Sequence, residues 1–141
     1  SLMEQHRLEG AAEGAVQEAT QRYTKAVELT GNRRDPDGLE MSACALSNLC
    51  DQLIQTNDLT RAAQVCTETT RRFPQKAEAF YNLAGVHALA GHAAQALAAL
   101  EQDFALGDRD WEYLTRDPWF ASLRGTPEFS RLVQRMKDDA R

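Results

Sequence analysis

AEAFYNLAGVHALAGHAAQALAALEQDFALGD, residues 77–108, consists of two short helical patterns joined at Gly91-His92. In the first, Phe80, Leu83, Ala84, Val86 and His87 recur at three- and four-residue spacings; in the second, Ala93, Ala96, Leu97 and Leu100 do the same. Each pattern therefore has one face to bury. Alanine is abundant on both, and small side chains let two helix backbones approach closely, so the pair is expected to close as an antiparallel hairpin.

The same pattern stands one step earlier in the chain. Displaced by about 34 residues, Phe80 falls on Leu46, Asn82 on Asn48, Leu83 on Leu49, Ala84 on Cys50 and His87 on Leu53. In the second helix Ala96 falls on Ala62, Leu100 on Cys66 and Asp108 on Pro74. Helices are expected over 39–55 and 59–73, separated by Asn57-Asp58, with Asp58 capping the second and Pro74 ending it. The next pair is expected over 75–90 and 93–106, closed by Gly107. Upstream, Leu8, Ala12, Ala15, Val16, Ala19, Tyr23, Ala26, Val27 and Leu29 give a helical stripe over 3–29. Gly31-Asn32 and Asp35-Pro36-Asp37-Gly38 read as a stop and a turn.

With those residues in place, the chain resembles the tetratricopeptide repeat family over 43–108. The family's pattern is matched by Leu46, Leu49, Cys50, Leu53, Ala62, Cys66 and Pro74, and again by Phe80, Leu83, Ala84, His87, Ala96 and Leu100. Leu53, His87, Cys66 and Leu100 replace its usual aromatics, and Thr69 and Asp103 replace its usual small residue late in the second helix. Ala19, Tyr23 and Ala26 resemble the second half of a further, extended unit. The segment Asp117-Pro118…Phe120…Leu123-Arg124…Pro127-Glu128-Phe129 looks like the terminating segment of many bacterial arrays of this kind, with helix starts expected at Asp117-Pro118 and Thr126-Pro127. A stack of repeats leaves an apolar end that a cap must cover, which accounts for Trp111, Tyr113, Trp119, Phe120 and Phe129. The expected fold is all-α: a short right-handed helical-hairpin array, a TPR-like α-solenoid with a C-terminal cap. It forms one domain over 1–141, divided into 3–38, 39–74, 75–108 and 109–141.

Composition narrows the function. Of 141 residues 26% are charged and 43% hydrophobic, and the net charge of −5 is spread along the chain. The basic clusters Arg33-Arg34 and Arg71-Arg72 with Lys76 lack interleaved aromatics, so no nucleic-acid role is expected. No apolar run is long enough for a bilayer, and Ser1-Leu2 ahead of Met3 is set aside as a cloning remnant. Cys44, Cys50 and Cys66 are an odd number without a Cys-x-x-Cys pair. Cys50 and Cys66 are expected as buried inert thiols and the protein as cytoplasmic. His87 and His92 form no zinc motif, and no phosphate loop or nucleophile elbow occurs, so neither enzyme activity, metal nor cofactor is expected.

The resemblance implies a protein-protein interaction module that binds a peptide or helix of a partner protein in a concave groove lined by the first helix of each repeat. The candidate residues are Ser47, Asn48, Asp51 and Gln55 in one repeat and Tyr81, Asn82, Gly85 and Leu89 in the next. The recurring Asn amide can serve a bound backbone or a neighbouring one. Gly85 and Ala88 would leave room for a ligand side chain, and Tyr81 would offer a flat contact. No cation stands at the groove offsets, so the groove is not expected to clamp a C-terminal carboxylate. The alternative is a structural fragment of a longer array, or a scaffold that self-associates as a homodimer through the N-terminal helix.

Overall fold

The computed structural model describes residues 36–140 together with Met3, Glu4, Arg7, Gly14, Gln17, Glu18 and Gln21, all seven of the latter helical. Most of the stripe over 3–29 and the stop at Gly31-Asn32 lie outside the described residues. The described chain has seven helical elements and no strand, packed as sequential antiparallel pairs. The elements are α1 (Pro36–Gln55), α2 (Leu59–Arg72), α3 (Ala77–Leu89), α4 (Ala93–Ala105), α5 (Trp111–Arg116), a 3-10 helix (Pro118–Leu123) and α6 (Pro127–Asp139). None is long and apolar enough to cross a membrane. The chain divides into two compact units, Ser1–Val65 and Cys66–Arg141.

In the first unit α1 starts three residues earlier than the sequence pattern indicates. Pro36 to Gly38 form its first turn, where a proline's missing N–H costs nothing. Ala43, Leu46, Leu49, Cys50, Leu53 and Ile54 are its buried apolar residues, spaced as one helical face requires. The chain leaves α1 through Asn57, whose φ of 60° is left-handed, with Asn57 N–H donating to Ile54 O (3.0 Å) and Asp58 N–H to Leu53 O (2.9 Å). Asp58 Oδ1 then accepts from the Arg61 N–H (3.3 Å), the expected cap of α2. Ala62 is fully buried, which lets α2 come close to its partner.

A disulfide joins Cys50 to Cys66. This corrects the expectation of free thiols there. Both positions are buried, a place where a thiol and half a cystine are equally well accommodated. Cys44 alone among the cysteines is free, and it is exposed.

In the second unit α3 and α4 form the hairpin read at 77–108. Its exit repeats the earlier one: Gly91 has φ 83°, Gly91 N–H donates to Ala88 O (3.2 Å), and His92 N–H donates to His87 O (2.8 Å). Ala96 is fully buried, as Ala62 is. The core of the unit gathers Ala84, Ala88, Ala96, Ala99 and Leu100 from the hairpin. Leu114, Phe120, Leu123, Phe129, Leu132, Val133 and Met136 complete it from the C-terminal segment. Asp110, Asp117 and Thr126 each cap a following helix through a side-chain oxygen. The helix begun at Asp117-Pro118 is 3-10, not α, and is kinked at Phe120, whose φ of −104° and ψ of 15° are not helical.

Candidate functional site

The first expected row lies on α1. Asn48 and Gln55 are exposed and Ser47 and Asp51 are half-buried, with Gln55 Nε2 donating to Asp51 Oδ2 (2.9 Å). Four polar side chains in this spacing make one hydrogen-bonding strip along the helix.

The second row, on α3, is a different environment. Leu89 is 41% exposed and Asn82 only 9%, so the two Asn residues at matching offsets differ in accessibility. Gly85 offers no room for a ligand side chain, which corrects the expectation. A Cβ built there would overlap Trp119 Cε3 and lie 3.0 Å from Cζ3. Small residues permit a close approach, and in this molecule the approaching group is the chain's own indole. Ala88 is covered as well, its carbonyl accepting from Ser122 Oγ (3.4 Å).

Tyr81 is likewise held from within. Its hydroxyl donates to Asp117 Oδ2 (2.5 Å), and its ring lies edge-on to Phe120, with 5.3 Å between centroids. Burial first, and then the Asp117 hydrogen bond, push the phenol well above its ordinary value. Asp117 is the node of this contact: Oδ1 accepts from the Trp119 N–H (3.0 Å), and its carbonyl accepts from Arg124 Nη2 (2.9 Å). The Asp-Pro pair was readable as a helix cap, but nothing in the spacing marked the second carboxylate oxygen as the acceptor for Tyr81. Tyr113, by contrast, is 60% exposed, while Phe120 and Phe129 are core.

A second buried acid, Asp103, lies on α4. It is 2% exposed, and burial, followed by its hydrogen bond with Asp108, pushes its carboxyl up to about 9. Arg109 beside it donates through Nη1 to Phe104 O (2.6 Å) and Asp108 O (2.9 Å) and pairs with Asp139 (2.6 Å). His87 packs against His92 with 5.9 Å between ring centroids, and burial and then His92 lower its pKa. Among the described residues no group of three His, Cys, Asp or Glu is placed to hold a metal ion.

No family model, curated protein or solved structure matches this chain.

Proposed function

We propose that the chain is a TPR-like protein-protein interaction module, without a catalytic role of its own, that binds a peptide or helix of a partner protein along the first helices of its hairpins. The observation that carries this reading is the recurrence of one local geometry. The left-handed exit at Asn57 returns at Gly91 with the same two backbone bonds, and fully buried Ala62 returns as Ala96, about 34 residues on. The surface of a helix in such a hairpin accepts an extended or helical segment better than a small substrate. Of the candidate residues, Ser47, Asn48, Asp51 and Gln55 on α1 and Leu89 on α3 are exposed or half-buried and so are open to a partner. Tyr81 and Gly85 belong instead to the seat of the C-terminal segment.

The test is a pull-down from native lysate with the wild type and with Asn48→Ala/Asp51→Ala, two changes on a helix surface that leave its core intact. Loss of the captured partner with an unchanged far-ultraviolet spectrum is the expected result. Unchanged capture would move the binding surface off α1.

A further inference from the structure

The second unit contains a concavity that the interaction strip does not use. It encloses about 390 Å³ between α5, the end of the 3-10 helix and α6. Phe129 and Val133 form its apolar floor, Thr115 and Ser130 supply hydroxyls, and Arg124 and Lys137 supply two cations.

The cations are the informative part. In this unit Arg71, Arg109, Arg131 and Arg135 each meet a carboxylate, at Glu68, Asp139, Glu128 and Glu101. Arg124 and Lys137, like Arg72 and Arg116, make no ion pair with any described carboxylate, and of these four it is Arg124 and Lys137 that line the concavity. Both are nevertheless held in place. Arg124 is anchored through Nη2 to the Asp117 carbonyl (2.9 Å), and Lys137 Nζ stands 4.5 Å from the centre of the Trp111 ring. Asp138, the nearest acid in sequence, accepts from Gln134 Nε2 (2.9 Å). Two positioned cations beside an apolar floor match a carboxylate side chain followed by an aliphatic one. The volume falls within the range of ligand sites, but an open mouth covers only part of a small molecule, whereas a peptide can lay one or two side chains into it.

We propose that this concavity docks an acidic, aliphatic peptide segment of a partner protein, with a carboxylate on Arg124 and Lys137 and an adjacent aliphatic side chain over Phe129 and Val133. The proposal rests on reading the chain as an interaction module but uses a surface separate from the α1 strip.

Fluorescence anisotropy tests it with a short fluorescein-labelled peptide alternating Glu and Leu, against the same pattern built of Lys and Leu. The expected result is saturable binding of the acidic peptide alone, weakened about tenfold or more by Arg124→Gln/Lys137→Gln, and weakened by added salt. Lys137→Gln by itself, which removes only the cation over Trp111, is expected to show part of the loss with an unchanged far-ultraviolet spectrum. Asn48→Ala should leave this binding unchanged even if it abolishes partner capture, so the two surfaces fail separately. The indole resonance of Trp111, beneath Lys137, should shift as the peptide is added. Absence of saturable binding, equal binding of the Lys/Leu peptide, an undiminished affinity in the double variant, or a Trp111 signal that stays still would each overturn the proposal. Binding of phosphatidylserine vesicles without binding of the peptide would assign the cations to a membrane surface and overturn it as well.

Discussion

Trp119 lies against Gly85 so closely that no side chain could replace the glycine hydrogen without displacing the indole. The face of α3 that a repeat array would offer to a ligand is thereby occupied by the protein's own C-terminal segment. Asp117 fastens that segment from both sides, by the Tyr81 hydroxyl and by the Trp119 N–H.

The Tyr81–Asp117 bond gives the first prediction. Tyr81→Phe keeps the ring packing but leaves a buried carboxylate oxygen without its donor, and is expected to cost about 1–2 kcal/mol in urea unfolding. The raised phenol fixes a sign as well: above about pH 10 the unfolded chain releases the Tyr81 proton while the folded one keeps it, so stability falls with rising pH. That fall should be shallower in Tyr81→Phe.

Asp103 acts over a different window. Folded, its carboxyl holds its proton up to about 9; unfolded, it ionises from about pH 4. Between these limits the unfolded state binds fewer protons, so this residue's contribution is full below about pH 4 and declines through the window toward pH 9. Asp103→Asn should remove the decline, so the variant gains on the wild type as pH rises, by at most about 1.4 kcal/mol per pH unit. Urea titrations across the window measure it, and parallel curves for the two proteins would contradict it.

Cystine formation is checked by alkylation. Without reductant only Cys44 of the three cysteines should be modified, and after reduction all three. Opening the Cys50–Cys66 loop is expected to lower stability by about 3 kcal/mol, the value for a closed loop of roughly this length.

Two guanidinium groups lie over the Phe104 ring, Arg109 at 4.1 Å and Arg135 at 5.1 Å from its centroid. Arg135, on an exposed pair with Glu101, is expected to cost only about 0.5–1 kcal/mol when changed to Ala. Arg109, which also serves the carbonyls of Phe104 and Asp108, should cost about 1–2 kcal/mol. Urea unfolding of the two variants gives the order, and the reverse order would contradict the contacts.

The hairpins were legible because apolar spacing, alanine content and the stops at Asn57 and Gly91 all pointed to the same elements. The caps at Asp58, Asp117 and Thr126 were legible because a short polar side chain before a helix has one dominant use. What was not legible depends on neighbours distant in sequence. Gly85 announces a close approach without naming the group that makes it, and the space that its spacing suggests for a partner is the space Trp119 fills. Cys50 and Cys66 occupy positions that suit any small apolar side chain, so their pairing left no separate mark. Asp103 stood out only as a departure from the repeat pattern. Its proton follows from a burial that composition does not reveal. The Ser47 to Gln55 strip could be placed on one helix face from spacing alone, but the unequal exposure of Asn48 and Asn82 could not.

The central claim is that the C-terminal segment is the occupant of the α3 face, and a double-mutant cycle on Gly85 and Trp119 tests it most directly. Gly85→Ala alone should destabilise by about 1–3 kcal/mol, because the overlap with the indole outweighs the better helix propensity of alanine. In the Trp119→Ala background the same change should be neutral or stabilising by up to about 1 kcal/mol, since only the propensity gain remains. An equal cost of Gly85→Ala in both backgrounds would show that Trp119 does not fill the space above Gly85, and would contradict the account.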